Sequence, residues 1–231
     1  LYAHRDTDRD GTFEWGPYGI IENVRDWYNA VFQVSKERHL DVDKEDISDE
    51  LECLDLSLMV LNELNYLVNM ADALGDALGR KKWSDRATRL RGLVNERFWD
   101  SETQFFYHVD KKNHTFRYLT RDLKRAEIIG FLPLWARAVD ARRAEVLVRR
   151  HLTDSTAFWR RNGVPTLSAR DAWYQPEVEQ CCKWNGPVWL LWNYMVLDGL
   201  YAYGYRREAH QLTDRLVGVV ARQLAANHRF W

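Results

Sequence analysis

The stretch Asp6-Thr7-Asp8-Arg9-Asp10-Gly11 sets three aspartates on alternate positions and closes them with a glycine. Aspartates at loop positions 1, 3 and 5 with glycine at 6 match the first half of an EF-hand-type calcium loop. In that scheme the Thr12 carbonyl and Glu14 supply further oxygens. Such a loop closes on a bidentate glutamate at position 12, where this chain has Pro17. A structural calcium held by Asp6, Asp8, Asp10, Thr12 and Glu14 therefore needs one more carboxylate from elsewhere in the chain. The alternative is an acidic turn whose aspartates accept hydrogen bonds from nearby backbone N–H groups.

Two further carboxyls follow, Glu22 and Asp26, four residues apart and near Trp15, Tyr18 and Trp27. If the segment is helical they share a face. A carboxyl among aromatic rings is partly desolvated, which raises its pKa and keeps the proton a general acid must donate. The competing reading is an acidic pair on a wet helix surface. A third segment runs from Asn162 through Trp173-Tyr174-Gln175-Pro176 to Lys183-Trp184-Asn185-Gly186-Pro187-Val188-Trp189, with Glu177 and Glu179 inside it. Its rings can stack on the C–H faces of a sugar while amides and carboxylates fork onto hydroxyls. It reads equally as a packed loop anchored by tryptophans.

Helices must position these groups. Residues 82 to 98 and 206 to 224 repeat apolar residues every three or four positions with charges between, the pattern of helices with one wet face. Residues 50 to 75 and 187 to 203 are apolar almost all round, which predicts helices buried on most sides. Shorter helices are predicted at 124 to 139 and 141 to 151, the second capped by Asp140. The link from Phe98 to Asp110 suits a short hairpin, and 160 to 186 is a long loop of the kind that carries function. Alternating buried and amphipathic helices suggest two concentric layers. An α-solenoid is the rival architecture, and no fixed internal period supports it.

At 231 residues, the chain is expected to form part of a single domain with a substantial core. Its 33 Lys+Arg against 34 Asp+Glu give no general pull toward nucleic acid or an anionic membrane. Eleven tryptophans are more than packing usually asks for and favour a carbohydrate partner. Cys53, Cys181 and Cys182 make an odd count with no legible disulfide framework, so the compartment, cytoplasmic or secreted/periplasmic, stays open. No apolar run approaches a membrane span. Leu1 reads as mid-domain and the chain stops at Phe230-Trp231, so a domain truncated at both ends is expected.

The order RDTDRDG, ENVRD, CLDLSLMVLNELNYLVNMADALG, RAEIIGFLPLWA, GVPTLS and KWNGPVWLLWNYMVLDGLYAYGY resembles the six-hairpin glycosidases. The nearest families are glycoside hydrolase family 63 and the trehalases. The resemblance implies an all-α (α/α)6 barrel, incomplete in this chain, and an inverting exo-acting glycoside hydrolase for an α-linked glucoside-type or related sugar, with no cofactor required. It matches Asp26, in Glu22-Asn23-Val24-Arg25-Asp26, to the general acid, with Glu22 a supporting neighbour. It also carries over Trp15, Tyr18, Trp27, Arg125, Trp135, Trp184, Asn185 and Trp189 as sugar contacts, and puts the general base just after Trp231. A non-catalytic carbohydrate-binding or helical scaffold domain is the alternative. Lyase chemistry is disfavoured, because His4, His108 and His228 are not clustered in sequence with a neutralising arginine.

Overall fold

The computed structural model describes residues 2–15, 50–177 and 184–228. The chain divides into two compact units, 1–125 and 126–231.

In the first unit a short helix α1 (Tyr2–Arg5) precedes the acidic loop, and strand β1 (Leu51–Glu52) leads into helices α2 (Leu54–Ala73) and α3 (Ala77–Arg97). Asp76 caps α3 by accepting the Gly79 N–H at 2.9 Å. The two helices pack as an antiparallel hairpin joined by a short link. Leu54, Leu56, Leu58, Val60, Leu61 and Leu64 face the core from α2, while Ala87, Leu90 and Val94 meet it from α3. The all-round apolar pattern of 50–75 predicted burial on most sides, and this holds only for the first half of α2. Tyr66, Met70 and Leu74 are exposed, because α3 covers one side of the second half.

Strands β2 (Trp99–Asp100) and β3 (Phe105–Phe106) form the expected hairpin, pairing Trp99 with Phe106. Strand β4 (Val109–Asp110) runs antiparallel to β1 and sets Glu52 opposite Val109. A second hairpin joins β5 (Arg117–Tyr118) and β6 (Arg121–Asp122).

The second unit begins with a 3-10 turn (Ile128–Phe131) and a single helical turn, α4 (Leu132–Trp135). The helix expected over 124–139 is thus corrected to these two short pieces. The Leu123 and Arg125 N–H groups bond Phe116 and Leu123 carbonyls in a turn, and Ile128 N–H bonds the Thr166 carbonyl, so none starts a helical ladder. Helix α5 (Ala141–Val146), capped by Asp140 through the Arg143 N–H at 2.8 Å, widens into a π-helical stretch over Leu147–Leu152. Helices α6 (Leu190–Ala202) and α7 (Arg206–Asn227) follow.

Helix α6 packs on α4 and α7. At Gly199 an added Cβ would sit 2.7 Å from Leu134 Cβ and 2.8 Å from the Trp135 backbone nitrogen, so only glycine permits this helix spacing. Trp192, Val196 and Leu200 face the core, but Leu190, Leu191, Tyr194 and Tyr201 are exposed, again less burial than the pattern implied. Among the described residues no helix is long and apolar enough to cross a membrane.

Candidate functional site

In the first unit the acidic loop is tied by its own backbone. Asp6 Oδ1 accepts the Gly11 N–H, Asp8 Oδ1 accepts the Asp10 N–H, and Asp10 Oδ1 accepts both the N–H and the hydroxyl of Thr12. The second Asp10 oxygen meets the Arg97 guanidinium and, at 2.5 Å, His114 Nε2. Burial alone would raise the Asp10 carboxyl, but the Thr12 donors, Arg97 and His114 together hold it below the ordinary carboxylate value. Asp6 moves the other way: its partial burial and the neighbouring Asp10 and Asp8 charges outweigh the N–H it receives. Glu14, buried just beyond the loop, accepts the N–H and hydroxyl of Thr7 and the Lys111 ammonium at 3.0 Å.

Strand β1 inserts Glu52 into this acidic group. Its side chain is fully buried, and among the described residues neither carboxyl oxygen has a hydrogen-bond partner. Burial, with Asp10, Glu14 and Asp8 nearby, pushes its pKa up to about 8. Asp8, Glu14 and Glu52 each bring an oxygen within 4.8 Å of the others, as do Asp6, Asp8 and Asp10.

One turn further on, Asp55 is buried at the start of α2, where its Oδ2 accepts the Trp15 indole N–H at 2.8 Å and its Oδ1 has no partner among the described residues. Burial raises the Asp55 carboxyl to about 6, with the Trp15 bond and the Leu56 N–H as partial offsets. His108 Nδ1 accepts the Leu54 N–H at 3.1 Å, and burial lowers the ring to about 3, so it is neutral. Cys53 stands with Asp55 and His108, but burial pushes its thiol well above the usual range. In this group His108 Nδ1 is taken by the Leu54 N–H and the Cys53 thiol donates to the Leu51 carbonyl at 3.6 Å.

In the second unit the Trp184 segment wraps around a buried acid. The Trp184 indole donates to Glu127 Oε2 at 2.6 Å, and both residues are almost completely buried. Trp192 meets Trp184 edge to face at 5.1 Å between ring centres, and Trp189 does so at 6.0 Å. The Thr166 hydroxyl donates to the Trp184 carbonyl and accepts the Gly186 N–H at 3.0 Å. Gly186 has φ +142°, and a Cβ there would press on the backbone of Gln175 and Pro176 at 3.0 Å. Asn193 of α6 fixes the preceding strand-like stretch, taking the Val164 N–H at 2.8 Å and donating to its carbonyl at 2.9 Å. Beside these contacts runs a groove of about 720 Å3 lined by Arg160, Arg161, Asn162, Tyr174, Glu177 and Val188, among others.

Of the residues read from sequence, Glu22, Asp26, Tyr18, Trp27 and Glu179 lie outside the described residues. Trp15 is buried against Asp55 in the first unit, and Arg125 stands at that unit's end. Trp135 closes α4, and Asn185 donates to the Trp173 carbonyl at 2.9 Å. Trp184 and Trp189 share the ring cluster. Sequence reasoning passed over Glu52, Asp55, Glu127 and Asn193. The signal was present: in Leu51-Glu52-Cys53-Leu54-Asp55-Leu56 two acids interrupt an apolar run, and Glu127 and Asn193 do the same in their segments. An acid that an apolar run carries into the core must be bonded or functional.

Residues 9–229 match the family model described as the Mannosylglycerate hydrolase MGH1-like glycoside hydrolase domain. Mannosylglycerate hydrolase MGH2 from Selaginella moellendorffii is 29% identical over 163 residues, 69% of this chain and 30% of that protein. The mannosylglycerate hydrolase of Rubrobacter radiotolerans is 24% identical over 151 residues, 65% of this chain and 32% of its own length. The chain thus spans about a third of the curated relatives it matches. The crystal structure of the GH63 mannosylglycerate hydrolase from Thermus thermophilus in complex with glucose superposes with TM-score 0.72 at 20% identity. That match covers 96% of this chain and 57% of the other. Neutral trehalase Nth1 from Saccharomyces cerevisiae superposes with TM-score 0.62 at 18% identity, over 78% of this chain and 32% of its own. The fold is the (α/α)6 barrel of these neighbours, present here in part.

Proposed function

Because the chain belongs to the family of MGH1-like glycoside hydrolases, we propose that the protein containing it is an inverting, exo-acting glycosidase. Its substrate on this reading is a small α-linked glucoside-type or related glycoside, with a mannosyl or glucosyl glycerate the first to try. The observation that carries this is the family match across residues 9–229, which takes in the Trp184 segment built around Glu127. The related proteins are named for mannosylglycerate, and the groove beside that segment presents Arg160 and Arg161, cations suited to a carboxylate-bearing aglycone.

Inversion needs one carboxylic acid to protonate the leaving oxygen and one carboxylate to activate water, about 6.5–9.5 Å apart so that the water fits between. Asp26 is assigned as the acid, with Glu22 beside it. The base is assigned to a carboxylate that follows Trp231 in the family order. In the second unit Trp189, which is part-exposed, is assigned to the aromatic surroundings of the sugar, and buried Trp184, steadied by Glu127, backs it. The reaction asks for no cofactor. A calcium ion in the acidic loop would hold backbone in place rather than touch the glycosidic bond.

The test is hydrolysis of α-mannosylglycerate and α-glucosylglycerate by the full-length protein and its Asp26→Asn variant. Loss of the acid is expected to cut turnover at least about a hundredfold, with folding intact by circular dichroism. Near-normal turnover would remove Asp26 from the role. Proton NMR of the first-formed anomer is expected to show inversion, and retained configuration would exclude the scheme.

A further inference from the structure

Helix α3 carries an unbalanced charge on the side that meets the loop. Arg86 and Arg89, three positions apart, are neighbours on one face of the helix. Arg9 joins them around a cleft of about 270 Å3, whose other walls are Asp6, Gly11 and the buried Leu90. The loop backbone lies close against the helix there. Gly11 has φ +97°, and a Cβ on it would stand 3.0 Å from Leu93 Cδ1 and 3.6 Å from an Arg89 guanidinium nitrogen. Arg9 is itself held at φ +65°, a left-handed conformation that disfavours any residue with a side chain. Such a conformation persists only where the surroundings impose it, and the side chain it carries lines the cleft.

The acids that could neutralise these cations are engaged elsewhere. Asp10 meets Arg97 and His114, Glu14 meets Lys111, and Asp85 meets Lys81. Among the described residues Asp6 is the one acid lining the cleft, and its Oδ1 accepts the Gly11 N–H. Among the same residues the Arg9 and Arg89 guanidinium groups have no hydrogen bond or ion pair, while that of Arg86 lies 5.3 Å from the centre of the Trp83 ring. Three guanidiniums against one carboxylate leave an excess of two positive charges in a small space, where they repel one another.

We propose that this cleft binds the phosphate monoester group of a small molecule, gripped by Arg9, Arg86 and Arg89. Such a group carries about −1.5 to −2 charge at pH 7 and three acceptor oxygens, which matches the excess. The planar guanidinium fork donates two parallel N–H bonds to oxygens of this kind. A carboxylate, with one charge, would leave one cation unanswered. Of the other cations of α3, Arg80, Lys81 and Arg97 are paired with Asp72, Asp85 and Asp10. The excess therefore gathers at the cleft instead of running the length of the helix, as a nucleic acid strand would ask.

This site is independent of the glycosidase reading, and its test does not use hydrolysis. Full-length protein is titrated by isothermal titration calorimetry with methyl phosphate and, separately, with potassium phosphate, at an ionic strength held constant with potassium chloride. One methyl phosphate per chain is expected. Arg89→Gln is expected to weaken binding at least about tenfold, through the lost charge-assisted bonds, while Lys81→Gln, outside the cleft, leaves it unchanged. No binding by the wild type, or unchanged affinity in Arg89→Gln, overturns the proposal. Equal weakening by both variants overturns it too, since that is general attraction to a basic helix. Potassium phosphate binding where methyl phosphate does not would assign the cleft to the free ion and overturn the ester. If Arg89→Gln does not fold by circular dichroism, Arg9→Asn, which tolerates the left-handed backbone, replaces it under the same criteria.

Discussion

Asp55 is a carboxyl whose burial should be visible in the stability of the whole first unit. Its pKa rises from 3.8 to about 6 because the side chain is buried, and the Trp15 indole N–H and the Leu56 N–H offset only part of that. A difference of about 2 units at 1.36 kcal/mol each corresponds to about 3 kcal/mol. The sign follows from which state holds the proton more tightly. The folded chain does, so the contribution of neutral Asp55 is complete below about pH 4 and is lost as pH rises through about 6. Asp55→Asn is neutral at every pH and still offers Trp15 an acceptor oxygen. Relative to wild type, the variant should therefore gain about 3 kcal/mol between pH 4 and pH 7. Any fixed cost of the extra amide N–H group cancels in that comparison. For a chain of this size, about 2–4 °C of Tm per kcal/mol turns the gain into a change of about 6–12 °C in the gap between the two melting curves. The assay is circular dichroism melting of both proteins across that pH range. Two curves that run parallel throughout would refute a raised Asp55 carboxyl and with it the role of burial here.

Other substitutions test the second unit. Glu127→Ala removes the acceptor of a buried bond from the Trp184 indole and should cost about 1–3 kcal/mol in urea unfolding, whereas Glu127→Gln, which retains an acceptor, should cost less than half of that. Gly199→Ala should lose about 1–3 kcal/mol through overpacking, because the new methyl meets Leu134 and the Trp135 backbone; a neutral result in the same assay would contradict the close approach of α4 and α6.

The long helices were legible because each carries its own signal. Helix α3 has apolar positions Ala87, Leu90 and Val94 at helical spacing, and α7 has Ala209, Leu212 and Leu216, with polar residues filling the rest. The β2–β3 hairpin and the Asp140 cap were likewise local matters. Burial around α2 and α6 was misjudged, since apolar composition says that a face can be buried but not whether a neighbour covers it. The stretch 124–139 was misread for a related reason: the Ile128 N–H finds the Thr166 carbonyl, 38 positions away, and no helical period records that bond.

The sequence by itself determined the helical class, the family blocks and the suspicion that DTDRDG lacked a closing carboxylate, because residue type and spacing along the chain carry those features. Only the tertiary structure decided which acids matter to which partners. Glu52 meets Asp8 and Glu14, Asp10 turns to Arg97, Asp55 takes Trp15 and Glu127 takes Trp184. Each of these pairings joins residues 38 to 87 positions apart, and whether a carboxyl is a ligand, a brace or a proton holder depends on its burial and on the donors around it. Those are properties of the folded surroundings, which a linear pattern does not contain.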